Sequence, residues 1–550
     1  MKKIITLLAL IFFVNVKAQT WQWAKSGNGH GCDEGIATAT DTTGNVFITG
    51  TIQGPSITFG TDTLITSGYN MFITKYDANG NVLWAKKSEG GALGNEGSSV
   101  STDISGNVFI TGAFSGTSIT IGTFTLNNAG GTNMFIAKYD ANGNVLWAKR
   151  AGGTIYDYGA SVSTDAAGNA FVTGSFQSPT IIFGTYTLTN VGSNTNVFIA
   201  KYDANGNVLW AKSIGGFSAG TSVSTDATGN VFVTGGFDSP TVTLGTYTLT
   251  DVGSTDVFVA KYDANGNVLW AKGIGGTNTD IGNSISTDVT GNVFVTGSFI
   301  SSTIAFGTYT LTNAGTTDNI FVVKYDANGN VLWALSAGGV GKGGQGDIGY
   351  SLSGDITGNV FVTGGFYSPS ITFGIYTLIP PVGSSDPMFV VKYDANGNVL
   401  CASALESGGD DNSGVSADRY GNAYVVSDFE EGPFIVGSTI LPFTSTVVGG
   451  ESVFFAKWEC NNTSAGIMQL ASNKEQVSIY PNPNNGSFVI EPNSATKQTM
   501  QVYDVSGKLV LSQAISGKTS IDAGSLNEGV YNISLQSNEG VINKRLVIVR

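Results

Sequence analysis

Oxygen-bearing side chains alternate in a segment that occurs six times. Asp-Ala-Asn-Gly-Asn begins at Asp77, Asp140, Asp203, Asp263, Asp326 and Asp394. Such alternation is the raw material of a calcium loop, so calcium is the one cofactor the residues leave open. A twelve-residue calcium loop needs Gly at its sixth position and a bidentate Glu at its twelfth. Here Gly is fourth and the twelfth residue is never Glu. The segment therefore reads as a tight turn, where Asn and Gly tolerate positive φ. A second series, Asp-x-x-Gly-Asn, begins at Asp41, Asp103, Asp165, Asp226, Asp288, Asp355 and Asp418. Seven equivalent carboxylates would ring a channel mouth, where they either hold a cation or cap their own turns through Asx hydrogen bonds; the second role is the commoner.

Other chemistry has little material. His30 is the single histidine, which leaves Ser-His-Asp catalysis and His-based metal sites almost nothing to use. Before residue 470 the arginines are Arg150 and Arg419, too few for a cluster that binds a carboxylate. Glycoside hydrolysis needs two facing carboxylates, which spacing does not pair here. No catalytic, cofactor-binding or metal residue is assigned. A non-catalytic binding or adhesion module is the leading reading; a carbohydrate-active hydrolase or lyase and a structural surface component are the alternatives. The cysteines are Cys32, Cys401 and Cys460. Cys401 stands where five copies of a repeat carry Trp and reads as a packing substitution. A Cys32–Cys460 disulfide has no support from spacing, and the odd number leaves at least one thiol over.

These segments are positioned by a repeat. Lys-Tyr-Asp-Ala-Asn-Gly-Asn-Val-Leu begins at Lys75, Lys138, Lys201, Lys261, Lys324 and Lys392, in steps of 63, 63, 60, 63 and 68 residues. A fixed period of this length signals a repeat architecture. Each unit holds two hairpins, such as Ser222–Asp226 turning into Val231–Gly235, then VFVAKYD turning into NVLWAK. That is a four-stranded antiparallel meander, and seven copies predict a seven-bladed β-propeller. The seventh copy lacks its fourth strand, while Trp21-Gln22-Trp23-Ala24-Lys25 is a fourth strand without a first three. Residues 20–25 are expected to complete the last blade and close the ring. The two turns of each unit share one face; the long, variable connections share the other, where binding is expected.

The Asp-x-x-Gly-Asn-Val-Phe-Val-Thr-Gly core and Phe-Val-x-Lys-Tyr-Asp-x-x-Gly tail resemble the SBBP family of bacterial β-propeller repeats over residues 19–460. The resemblance implies the propeller architecture and says little of activity. Ser-x-Asp-x-x-Gly-x-x-Phe is superficially similar to the Asp-box of sialidase propellers, but is one residue too long before Gly and ends in Phe rather than Trp.

The chain ends frame an export reading. Lys2 and Lys3, the apolar run Ile4–Val14 and the small residues before Gln19 make residues 1–18 a secretory signal peptide with cleavage between Ala18 and Gln19. No later stretch is long and apolar enough to span a membrane as a helix. Without residues 1–18 the chain carries 23 basic and 40 acidic residues, nearly all of the excess before residue 461. An acidic body argues against nucleic acid and anionic membranes. Residues 461–474 read as a linker. Beyond them, alternation of period two with Gly turns predicts a small Ig-like β-sandwich of about seven strands over 475–550.

That last segment contains Tyr480-Pro481-Asn482-Pro483, Gly486, Tyr503-Asp504 with Gly507-Lys508, Gly529, Tyr531 and the basic pair Lys544-Arg545. Together they resemble the C-terminal sorting domain of the type IX secretion system. The resemblance implies a Bacteroidota-like host, the type IX machinery as partner, and a product released outside the cell or attached to its surface. For the binding-module reading, an extracellular glycan or protein is the prospective ligand.

Overall fold

A computed structural model describes residues 17–464 and 477–549, apart from residues 67, 91–93, 191–194, 314, 382–383, 385, 408–412, 431, 433, 446, 448–449, 483, 493–496, 505–507 and 538–539. Residues 1–16 of the expected signal peptide lie outside the described residues, as do residues 465–474 of the expected linker; Ala18 and Gln19 fall in the strand Lys17–Ser26. The chain separates into two compact units, one of them Gln19–Cys460 and the other containing Asn461–Arg550. The described residues form strands and turns, with no helix.

In the first unit each copy of the repeat is a four-stranded antiparallel sheet, a propeller-like blade. The copy around Asp226 runs Phe217–Thr225, Val231–Phe237, Asp256–Tyr262 and Val268–Ile274 in spatial order. Sheets of the same order are built from residues 34–87, 95–151, 157–214, 280–337 and 348–407. One further sheet orders Lys17–Ser26, Ser452–Ser464, Asn422–Phe429 and Gly414–Ala417, so the N-terminal strand lies beside the last third strand.

The residue pattern explains these strands. Second and third strands are buried along their whole length, because sheets cover both faces. They read as continuous apolar runs, whereas outer strands alternate. The Asp-Ala-Asn-Gly-Asn turns are self-capped: Asp203 Oδ1 accepts from the amides of Asn205 and Asn207 at 2.9 and 2.8 Å, Oδ2 accepts from Asn207 Nδ2 at 2.8 Å, and Gly206 takes φ of 81°. A small hairpin, Thr180–Phe183 with Tyr186–Thr189, precedes the third strand. Its Tyr186 hydroxyl donates to the Leu209 carbonyl on the outermost strand at 2.6 Å, covering an edge that would otherwise be open. Tyr247, Tyr309 and Tyr376 repeat this at Leu269, Leu332 and Leu400.

The second unit has a three-stranded sheet, Val477–Tyr480, Ser487–Pro492 and Thr519–Asp522, and a four-stranded one ordered Leu509–Ser516, Lys497–Tyr503, Gly529–Ser537 and Gly540–Ile548. Both contribute to one apolar core that includes Phe488, Ile490, Val502, Ile533 and Leu546.

The cysteine reading is corrected. Cys401 is joined to Cys460, with Cα atoms 6.3 Å apart, and Cys32 lies outside the disulfide. Cys401 is therefore more than a packing substitution. Its partner, 59 residues away in sequence, is brought beside it by the stacking of successive sheets.

Candidate binding channel, seams and sorting tail

The innermost strands surround a cavity of about 440 Å³. Its wall is set by a bulge. In six sheets the pairing of first and second strands skips the residue after the first strand's paired glycine: Ile36, Ser98, Ala160, Thr221, Asn283 or Tyr350. The cause is local. The Gly of each Val-Thr-Gly or Ile-Thr-Gly segment lets the first strand's carbonyl approach so closely that a Cβ on Gly50 would lie 1.9 Å from the Glu34 oxygen. The skipped residues all line the cavity, and they differ from sheet to sheet. Below them the hydroxyls are committed. Thr102 Oγ1 donates to the Thr40 carbonyl, Thr164 to Thr102, Thr225 to Thr164 and Thr287 to Thr225, all at 2.8–2.9 Å. Gly354 and Ala417 donate their amides to Ser286 and Ser353 hydroxyls, and Thr40 Oγ1 reaches the Ala417 carbonyl at 2.8 Å. Among the described residues no charged side chain lines the cavity.

The expected aspartate ring does cap its own turns. Asp226 Oδ1 accepts from the amides of Thr228 and Asn230, and Oδ2 from Asn230 Nδ2. It also meets a lysine whose part the sequence reading missed. Lys261 Nζ lies 3.8 Å from Asp226 Oδ2, 4.9 Å above the Phe232 ring, and donates to the Ala327 carbonyl of the next sheet at 3.0 Å. Lys75, Lys138, Lys201, Lys324 and Lys392 are buried in the same way against their own aspartates. A lysine inside a strand with both faces buried was the available signal. The repeated Trp is buried and seals the same seam: Trp270 Nε1 donates to the Ala327 carbonyl at 3.3 Å, and its ring lies 6.2 Å from Tyr325. Hydrogen bonds from their own turns hold the Asp41, Asp226 and Asp288 carboxyls below the ordinary range against the opposing effect of burial.

The long connections are tied by a different buried carboxylate. Asp280 accepts from the Ser301 amide and hydroxyl and the Gly276 amide; Asp157 and Asp347 make the same clamps on Ser178 with Gly153, and on Ser368 with Gly339. Burial pushes Asp33 up to about 6, with backbone amides, Gln53 among them, acting the other way. Burial likewise raises Asp256 to about 6.

In the tail the structure joins the two ends of the sorting signature. Asn482 Oδ1 accepts from the Val547 amide at 2.8 Å, and Asn484 Nδ2 donates to the Val547 carbonyl at 3.0 Å. The Tyr480–Pro481 peptide is cis, and the Tyr480 hydroxyl donates to Glu491. Gly486 takes φ of 105° and donates to Asn484 Oδ1. Tyr503 donates to Gln501; Asp504 caps the amide of Lys508. Gly529 opens the strand in which Tyr531 is buried and donates to the Asn527 carbonyl. Lys544 and Arg545 lie on the terminal strand Gly540–Ile548. Pro483 and Gly507 are outside the described residues.

Residues 478–549 match the family described as "Secretion system C-terminal sorting domain". An uncharacterized WD repeat-containing protein of Acanthamoeba polyphaga mimivirus is 25% identical over 511 residues, covering 75% of this chain and 36% of the viral protein. The regulatory protein FlaEY of Caulobacter vibrioides is 34% identical over 91 residues, 16% of this chain and 9% of its own. The chain thus spans about a third of the viral relative and under a tenth of the other. Among solved structures, a puromycin hydrolase mutant is 9% identical with a TM-score of 0.38, covering 83% of this chain and 58% of its own, a likeness too low to carry an argument. The type IX sorting domain means that the protein engages that secretion system and is exported, to be secreted or attached to the cell surface. Among the described residues no helix is long and apolar enough to cross a membrane.

Proposed function

We propose that residues 19–460 form a seven-bladed β-propeller of the SBBP repeat type, closed by the N-terminal strand, that serves outside the cell as a non-catalytic module binding an uncharged, hydroxyl-rich polymer such as a neutral glycan. Residues 1–18 are its signal peptide, 461–474 its linker and 475–550 its sorting domain, in a Bacteroidota-like host. Closure is supported by the placement of Lys17–Ser26 beside Ser452–Ser464 and by the Thr40–Ala417 hydrogen bond between distant parts of the chain.

One observation carries the binding reading: the cavity wall. It presents hydroxyls and small apolar groups, with Asn283 and Tyr350 on neighbouring sheets as its least symmetric pair. Such a wall offers hydrogen bonds, and among the described lining residues there is no carboxylate, imidazole or amine to serve as general acid or base. The irregular connection 338–347 leads directly into the strand of Tyr350. The test is a glycan array probed with the chain from Gln19 onward. Binding to at least one neutral glycan is expected, lost when residues 335–350 are replaced by the shorter 212–221 sequence, with the melting temperature nearly unchanged. Failure to bind any glycan, or binding that survives the replacement, refutes this placement.

A further inference from the structure

The seams between successive sheets are built from the same three groups, with one exception. Trp23, Trp84, Trp147, Trp210, Trp270 and Trp333 each donate an indole N–H, at 3.1–3.3 Å, to the carbonyl of an alanine in a neighbouring turn. At the remaining seam Cys401 replaces the Trp and Cys460 replaces the Ala, and the two are bonded. The third group changes as well. Trp458 stands where the other third strands have Tyr, fully buried, and its ring lies 6.2 Å from Phe361, in the space that a Trp at 401 would fill. Lys392 correspondingly donates to the Gly421 carbonyl at 2.9 Å, whereas its counterparts reach the alanine.

The exception falls at a particular place. In the other sheets the end of the third strand is held because the chain turns back into the fourth. Past Cys460 it does not turn back: the strand runs on to Ser464, the fourth strand is the N-terminal Lys17–Ser26, and the chain continues toward the sorting tail. We propose that the Cys401–Cys460 disulfide is an oxidation-dependent lock on the last third strand, which stops tension on the segment after Cys460 from peeling that strand off the ring. This rests on the closure proposed above.

The lock closes by thiol–disulfide exchange. One cysteine thiolate attacks a disulfide of a dithiol–disulfide oxidant, its sulfur bonding to one oxidant sulfur and releasing the other as thiolate. The second cysteine thiolate then displaces the oxidant, which leaves as a dithiol carrying the two electrons, and the thiol protons pass to solvent. Before oxidation this seam has neither the Trp hydrogen bond nor a covalent link, so it is the weakest seam in a reducing compartment and is locked once the chain reaches an oxidising one.

The test is amide hydrogen exchange on the folded chain from Gln19 onward, with and without a dithiol reductant, and on the variant Cys401→Trp, Trp458→Tyr, Cys460→Ala, which restores the seam of the other sheets. Reduction is expected to speed exchange at residues 453–458 at least tenfold, to leave residues 257–262 unchanged, and to have no effect in the triple variant. Slow exchange at 453–458 after reduction overturns the lock while leaving closure standing, as does a rise of equal size in every sheet. Fast exchange at both 20–25 and 453–458 in the oxidised protein overturns closure and the lock with it. If the triple variant does not fold, the comparison of oxidised and reduced wild type still decides.

Discussion

Replacing Trp23 by Ala tests whether the N-terminal strand completes the last sheet. Trp23 is partly buried. Its ring lies edge-on to Phe455 at 5.4 Å and tilted to Tyr424 at 6.0 Å, and its indole donates to the Ala78 carbonyl at 3.3 Å. Removing a buried Trp costs about 3–5 kcal/mol through lost burial and the cavity left behind, so partial exposure puts this site near the lower end, about 3 kcal/mol. Because the strand is terminal, the loss falls first on its own docking. A docking loss of about 3 kcal/mol is roughly a 100-fold rise in local opening. Amide exchange read by mass spectrometry should show this rise at residues 20–26 and at the adjoining residues 453–458. Residues 257–262, in the sheet built from residues 217–274, should be unaffected. The matched variant Trp210→Ala, in a strand continuous with its hairpin, should lower the melting temperature without selectively exposing 453–458. Unchanged exchange at 453–458 in Trp23→Ala would refute the reasoning, since the strand would then not protect its neighbour.

Asp33→Asn should stabilise the protein above pH 6. Burial holds the wild-type carboxyl at about 6 when folded, above the ordinary aspartate range near 4, so the folded state keeps a proton that the unfolded state has lost between those values. Wild-type stability therefore falls as pH rises from about 4 to 6, by up to about 3 kcal/mol, and the advantage of Asn should vanish below pH 4 in urea titrations. Gly206→Ala combines φ of 81° with a Cβ 2.8 Å from the Trp147 ring and should cost about 2–3 kcal/mol; Gly517→Ala, at φ of 61° with open space around it, should cost about 1 kcal/mol, and equal melting shifts would contradict the seam packing. A signal peptide and reporter fused ahead of residues 461–550 should reach the surface of a host with the type IX machinery. Truncation after Val541 should strand it in the periplasm, because Val547 ties the terminal strand to Asn482 and Asn484; normal delivery of the truncated reporter would show that this strand is dispensable.

What the sequence determined by itself was whatever a few consecutive residues decide. The turns of Asp203–Asn207 and Asp226–Asn230 close on their own side chains, so their residues announce them. The strands follow from runs between those turns, and the sorting signature from short motifs such as Tyr480–Pro483 and Tyr503–Lys508, each legible by itself. The tertiary structure alone decided what depends on one sheet meeting the next. Nothing in the sequence assigns the lysines of Lys-Tyr-Asp a partner; stacking carries them into a buried site between an aspartate, a phenylalanine and the next sheet's carbonyl. The bulge that aims Asn283 and Tyr350 into the channel depends on two glycines in different strands facing each other, invisible until the register is known. The Cys401–Cys460 pairing went unread for the same reason. Cys401 and Cys460 are far apart in the chain, and only the step from one sheet to its neighbour brings their Cα atoms to 6.3 Å. Local chemistry is written in neighbouring residues; a seam is written in residues about one repeat apart, and it is the packing of whole sheets that chooses which of them touch.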